Sequence, residues 1–141
     1  MMRKHADARD ASARDPAALH LQCRAYWAFR DLPKALECTN RFLAAAPNHP
    51  FGYNNKAMIL LEERKPREAY DFLRSVIDKF PKDATMHYQL AYAAAQCGLK
   101  SEAIPWLSVA ISCFAGLKQA ALDVEAFADI KDEIERMNPE H

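Results

Sequence analysis

Glycine is scarce in this sequence, with three residues among 141, and long apolar runs are missing altogether. Alanine, leucine, glutamate and lysine are abundant instead, and this composition favours helices over strands. Because no run of about 18 apolar residues occurs, no transmembrane helix is expected. The N-terminus also lacks an apolar stretch after Arg3 and Lys4, so a secretory signal peptide is not expected either. We therefore expect a cytoplasmic protein with no membrane partner.

The chain has no excess of charge of either sign, since 19 basic side chains are balanced by 19 acidic ones. A balanced chain creates no strong field to attract nucleic acid or anionic lipid. No basic stripe of the kind that follows a phosphate backbone is present. The sequence therefore predicts no nucleic-acid partner.

Patterns that carry chemistry are also missing. The four cysteines form no C-x-x-C pair, which argues against a structural zinc site. They are interpreted as small buried hydrophobic residues, and a redox pair remains the alternative. No nucleophile elbow, phosphate loop or H-E-x-x-H motif occurs, and the five histidines are scattered. We expect neither an enzyme nor a bound cofactor or metal.

An internal repeat organises the chain. Ala35, Ala69 and Ala103 are each separated by 34 residues, as are Pro47 and Pro81. Aliphatic columns follow each alanine at steps of three and four residues, which marks one face of a helix. A second column of small residues (Cys23, Ala57 and Ala91) lies on a preceding helix. Each unit is therefore predicted to hold two helices.

Capping residues set the expected limits of these helices. Asp15, Asp31 and Asp83 stand where a side chain caps a helix N-terminus, and Pro16 follows the first of them. Gly98 is expected to end the fifth helix in the left-handed conformation. The positions of these capping and helix-ending residues thus agree with three helix pairs.

The 34-residue helix-turn-helix unit resembles the tetratricopeptide repeat. The matching residues are the small ones of the first helix, the alanines of the second and the prolines, and Gly98 matches the glycine between helices. Arg30 and Arg64 replace that glycine in the other two units. The resemblance implies an all-α fold, a right-handed α-α superhelix of three helix pairs with a C-terminal capping segment. We predict a single domain over 16–137, with repeats at 16–49, 50–83 and 84–117, a cap at 118–137, a flexible segment at 1–15 and a tail at 138–141.

The C-terminal segment is similar to the region that closes the last repeat in many bacterial tetratricopeptide proteins. Its apolar residues are spaced as on one side of a helix: Val124, Phe127, Ile130, Ile134 and Met137. A stack of helix pairs leaves one apolar face open, and a final helix can cover it. We therefore predict a helical capping segment whose final amphipathic helix covers the end of the stack.

In proteins of this family the first helix of each pair lines a concave groove that binds another polypeptide. The resemblance implies ten partner-binding residues in this groove: His20, Arg24, Trp27, Asn54, Asn55, Met58, Tyr88, Gln89, Tyr92 and Gln96. Aromatic side chains commonly anchor interfaces, and the amides can pair with a peptide. Packing between repeats remains the alternative for Trp27 and for Phe51, an aromatic residue at another groove position that the resemblance implies. Tyr88 and Tyr92 are expected to be free for a partner, because Leu90, Ala91 and Ala94 already supply the core side of their helix.

The function indicated is that of an interaction module for a peptide or helix of another protein. Two alternatives remain, namely a self-assembling structural unit that forms homodimers and a secretion-type chaperone. Some family members clamp the C-terminal carboxylate of a chaperone with lysines and asparagines. Only Asn55 matches those positions here, so no clamp of that kind is predicted.

Overall fold

A computed structural model describes residues 15–138 of the protein. That part of the chain contains eight α-helices, two 3-10 helices and no strand. The α-helices are α1 (Pro16–Ala28), α2 (Leu32–Ala45), α3 (Pro50–Glu62), α4 (Pro66–Arg74), α5 (Ala84–Gln96), α6 (Lys100–Cys113), α7 (Leu117–Leu122) and α8 (Lys131–Glu135). The 3-10 helices are Ile77–Lys79 and Glu125–Ile130. The all-α prediction is confirmed.

The helices form two compact units, one ending at Ile59 and the other beginning at Leu60, so the boundary falls within α3. In the first unit, α1 packs against α2 around a buried cluster of Leu19, Cys23, Cys38 and Phe42. In the second unit, α5 packs against both α4 and α6. Leu73, Leu90 and Leu107 are fully buried there.

Both columns of small residues lie where helices approach each other closely. Ala35, Ala69 and Ala103 have no exposed surface, and neither do Cys23, Ala57 and Ala91. The distance between two packed helix axes depends on the side chains at the contact, so a methyl group or a thiol permits the closest approach. The 34-residue register read from the sequence is therefore the register of the packing.

Three aspartates start helices as the sequence predicted. The carboxylate of Asp15 accepts from the Ala17 amide at 3.3 Å, and that of Asp31 accepts from the Lys34 amide at 3.2 Å. The Asp83 carboxylate accepts from the Met86 amide at 2.8 Å. Each bond satisfies a backbone donor that the helix itself leaves without a partner.

The first helix of every pair ends in the same way, and two arginines share the conformation of Gly98. The backbone φ angles of Arg30, Arg64 and Gly98 are 60°, 61° and 82°. At each site the next amide donates back to a carbonyl five residues earlier: Asp31 to Tyr26, Lys65 to Leu60 and Leu99 to Ala94. This Schellman arrangement requires a left-handed residue, whichever side chain the sequence supplies there.

We expect glycine at position 64 to stabilise the protein. A left-handed backbone costs a residue with a Cβ about 1–2 kcal/mol, while glycine loses roughly 0.5–1 kcal/mol more backbone entropy on folding. Arg64→Gly should therefore raise the free energy of unfolding by about 0.5 kcal/mol, and Arg64→Ala should not. Urea unfolding of the two variants beside the parent protein would measure this. A lower midpoint for Arg64→Gly than for Arg64→Ala would contradict the strain argument.

The C-terminal segment is helical and covers the end of the second unit, but it is not one continuous α-helix. Val124 adopts an extended conformation (φ −89°, ψ 125°) and separates α7 from the 3-10 helix Glu125–Ile130, which leads into α8. Four of the five predicted apolar residues are buried nonetheless, with Phe127 and Ile134 fully enclosed, while Val124 is half-buried. The break changes the direction of the chain, so that these side chains reach the surface offered by α5 and α6.

A lysine ties the two ends of this cap together. The Lys118 ammonium donates to the carbonyl oxygens of Glu135 and Met137 at 2.9 and 2.7 Å. Glu135 is the last residue of α8, where a helix leaves its acceptors unpaired, and Met137 follows two residues later. The cap is thus held by its own hydrogen bonds as well as by apolar burial.

Candidate partner-binding grooves

The first unit contains a groove of about 370 Å³ between α1 and the N-terminal part of α3. It is lined by His20, Arg24, Trp27, Ala28, Phe51, Asn55 and Met58. Five of these seven belong to the predicted partner-binding set. His20, Arg24 and Trp27 meet there because they are four and three residues apart, which places them on one side of α1.

Aromatic rings form the floor of this groove. The imidazole of His20 lies 4.0 Å from the ring centre of Phe51, and Phe51 meets the ring of Phe42 edge-on at 4.9 Å. The guanidinium of Arg30 covers the indole of Trp27 at 5.0 Å. Phe51, Trp27 and Met58 are all half-buried and line the groove. Phe51 also packs against the core cluster through its contact with Phe42.

Asn55 is used inside the first unit. Its side chain is buried, and its amide nitrogen donates to the hydroxyl oxygen of Thr39 at 2.6 Å. The Thr39 hydroxyl in turn donates to the Ala35 carbonyl at 2.7 Å, so a chain of buried hydrogen bonds joins α3 to α2. Asn54 is half-buried and does not line the groove. This relay gives Asn55 a structural role beside any contact with a partner.

The second unit contains a larger groove, of about 610 Å³. Its walls come from the end of α3, the start of α4, the C-terminal half of α5 and the cap. It is lined by Leu61, Arg64, Pro66, Tyr92, Ala95, Gln96, Lys100, Val124, Glu125 and Ala126. Of the predicted residues, Tyr92 and Gln96 are found here, joined by a hydrogen bond of 2.9 Å from the Gln96 amide to the Tyr92 hydroxyl.

Tyr88 and Tyr92 contact the cap, which the sequence interpretation did not foresee. The ring centre of Phe127 lies 5.8 Å from that of Tyr88 and 6.2 Å from that of Tyr92, and both pairs are edge-on. Burial raises the pKa of the Tyr88 phenol, and the neighbouring Tyr92 contributes in the same direction. Neither Tyr88 nor Gln89 lines the groove of the second unit. The cap covers the side of α5 that faces away from the packed helices. Both tyrosines lie on that side, and they therefore contact the cap.

The sequence interpretation missed the charged residues and the cap residues of this groove. Arg64 and Lys100 place two positive charges at its edge, and Glu125 adds one negative charge. Lys100 also forms an ion pair with Asp129 of the cap. For Arg64, the one sequence feature that set it apart was its position in the column where the repeat has glycine. Nothing in the sequence indicated the path of the cap after Val124.

A smaller pocket of about 350 Å³ lies on the second helices, α4 and α6. The Tyr70 hydroxyl donates to the Glu102 carboxylate at 2.7 Å and accepts from the Trp106 indole at 3.1 Å. Burial raises the pKa of Tyr70, and the hydrogen bond to Glu102 adds to this effect. Because the polar groups of this pocket pair with one another, they hold α4 against α6.

The thiols differ in their surroundings. Cys23 and Cys38 are buried together, whereas Cys97 is partly exposed and Cys113 exposed, so only the first two fit the buried interpretation. Burial, with a hydrogen bond to Cys23, raises the pKa of Cys38 to about 12. Within residues 15–138, no group of three or more His, Cys, Asp or Glu side chains is placed to hold a metal. None of the helices in that range is both long enough and apolar enough to cross a membrane.

Comparison with known proteins identifies the fold. No protein-family model matches the sequence, and no curated protein matches it. Among solved structures, the TPR2B domain of yeast Sti1, in complex with pHsp70, aligns with 87% of this chain and 98% of its own, at a TM-score of 0.68 and 20% identity. This is the tetratricopeptide-repeat fold. A structure of the TPR2AB domain of yeast Sti1 with pHSP90 gives the same TM-score and identity over 95% of this chain, which spans about half (53%) of that one. The tetratricopeptide fold thus accounts for the 34-residue register and for the left-handed residue that ends each first helix.

Proposed function

We propose that this tetratricopeptide-fold protein is a cytoplasmic interaction module, not an enzyme, and that residues 16–137 act as one domain that binds a peptide or helix of another protein. The observation that supports this most is the groove of the first unit, because five of the ten partner-binding residues predicted from the sequence line it. Its floor is aromatic, and half-buried aromatic and methionine side chains are typical anchors of protein interfaces. The likeness to Sti1 domains in complex with pHsp70 and pHSP90 supports a polypeptide ligand.

The groove residues suggest which peptides bind. Trp27, Phe51 and Met58 offer apolar surface, and Arg24 is an exposed cation beside them, while the groove lining contains no carboxylate. We expect a large apolar side chain to fill the groove of the first unit. Binding should therefore depend only weakly on salt, since most of the buried contact is uncharged.

A chaperone-tail clamp is not part of this proposal. Only Asn55 matches the clamp positions, and its amide nitrogen already donates to Thr39. The other clamp positions hold His20, Arg24, Thr85 and Gln89, and none of them is a lysine. A C-terminal chaperone peptide should therefore bind more weakly than a peptide selected for an apolar anchor.

A displayed library of random peptides, selected on the full chain, would test the proposal. The dissociation constant of the best peptide is then measured by fluorescence polarisation for the parent protein and for Trp27→Ala and Met58→Ala. We expect each substitution to weaken binding by about tenfold or more, because each removes apolar surface from the groove. The melting temperature should change little, since both side chains are only half-buried.

Phe114→Ala is the matched control, because Phe114 is 60% exposed and lines neither groove. Its affinity for the selected peptide should equal that of the parent protein. Failure of the library to yield any peptide, or a selected peptide whose binding ignores both groove substitutions, would rule the proposed site out.

A further inference from the structure

The outer side of α1 carries an apolar face that is mostly exposed in the first unit. Ala18, Leu21 and Ala25 are three and four residues apart, so they share one side of the helix. Phe29 directly follows the last residue of α1 and extends this line by another four residues. Leu21 is 68% exposed and Phe29 is 84% exposed. These values are high for large apolar side chains, and a continuous apolar surface of this kind marks an interaction site.

The repeat shows how the fold uses this face elsewhere. One and two repeats further on, Ala25 corresponds to Ile59 and Ala93, and both are fully buried. Ala18 corresponds to Gly52 and Met86, which are buried as well. In the first unit a Cβ on Gly52 would meet Leu43 at 2.7 Å, so this side of α3 packs directly on α2. The same side of a first helix is therefore a helix-packing surface, and in α1 it is open.

We infer that a second copy of this chain covers the face, through an α1-to-α1 contact around a two-fold axis. A head-to-tail arrangement would need an open C-terminal end. That end is closed in the second unit, where the cap buries Phe127, Ile130 and Ile134 against α5 and α6. An association that uses the same face on both copies is the remaining closed arrangement.

The face is complementary to itself. In an antiparallel pair centred near residue 23, Leu21 lies opposite Ala25 of the partner subunit, and Phe29 lies opposite Ala18 of the partner subunit. Each large side chain thus meets a small one, as interdigitating helix surfaces require. No charged side chain lies within the face, because Arg24 points to the groove of the first unit. Two copies can therefore meet without burying a charge or opposing like charges.

Residues 1–14 are a poorer match for the same surface. Their sequence, MMRKHADARDASAR, contains six charged residues and no large apolar residue other than Met1 and Met2. A segment with this composition offers little apolar area for Leu21 and Phe29 to bury. The second copy supplies both the large and the small side chains that the face needs.

Sedimentation velocity of the full chain across a wide range of concentrations tests the inference. We expect the parent protein to shift from monomer to dimer as its concentration rises. Leu21→Glu and Phe29→Glu should sediment as monomers at every concentration, with unchanged circular dichroism because both side chains are exposed. Phe114→Glu, an equivalent change on an exposed aromatic of the second unit, should still dimerise.

Other outcomes would overturn the inference. They are a parent protein that remains monomeric throughout, or a Phe29→Glu protein that dimerises as the parent does. A chain without residues 1–14 that dimerises when the full chain does not would show that this segment occupies the face instead. Peptide binding in the groove is measured separately, so a monomeric protein that binds its selected peptide would refute the dimer and leave the proposed function standing.

Discussion

Ala69→Glu is expected to unfold most of the second unit at room temperature. Ala69 has no exposed surface, and it lies on α4 in the column of small residues that sets the helix register. A glutamate there would bury a charge without a partner in a space sized for a methyl group. We expect a loss on the order of 4 kcal/mol, which is a large share of the stability of a domain this size. Circular dichroism with urea unfolding would measure the loss.

Ala44→Glu provides the matched control, since Ala44 is an exposed alanine on α2, also a second helix. The same substitution there should change the free energy of unfolding by no more than about 0.5 kcal/mol. A difference in the free energy of unfolding between the two variants measures the effect of burial, because helix propensity and charge change equally in both. Equal midpoints for Ala69→Glu and the parent protein would mean that the packing register is not the one described above.

The second large effect is expected from Phe127→Ala in the cap. The Phe127 ring is fully buried and meets both Tyr88 and Tyr92 edge-on. Truncating a buried phenylalanine removes its apolar contacts and leaves a cavity, which typically costs about 3–5 kcal/mol. The loss should be concentrated in residues 117–137, so amide hydrogen exchange of the cap should accelerate more than that of α5.

Phe114→Ala is the corresponding control, because it removes the same atoms from an exposed position. Its midpoint in urea should match that of the parent protein. If Phe127→Ala lost no more stability than Phe114→Ala, the cap would not be an integral part of the second unit. Uniform acceleration of exchange throughout that unit would instead show that the cap and the helices unfold together.

The cap also bears on binding, because Val124, Glu125 and Ala126 form one wall of the groove in the second unit. Phe127 immediately follows these residues and fixes their position from the buried side. The cap is therefore a wall of a candidate site as well as a cover for the apolar end of the helices. For the same reason Tyr92→Ala is not a clean test of binding, since it removes a contact with the cap together with a groove residue.

The sequence by itself was sufficient for the helical class, the 34-residue register and the starts of the helices that an aspartate caps. Each of these depends on local rules: which residues cap a helix, which recur on one of its faces, and which are small enough for close packing. Ala35, Asp83 and Gly98 are examples, since each has the burial, the hydrogen bond or the backbone angle that its residue type and position predicted. The groove of the first unit was largely predictable as well, because His20, Arg24 and Trp27 share one side of a single helix.

Only the tertiary structure decided the remaining features. Arg30 and Arg64 adopt the conformation of glycine because the helix packing on either side fixes the turn. Asn55 pairs with Thr39, and the tyrosines of α5 pack against Phe127, because distant segments meet there. Helical periodicity tells which side chains share a face, but it carries no information about which other segment covers that face. The partners of the buried amide, of the two tyrosines and of the cap therefore emerged only from the packed chain.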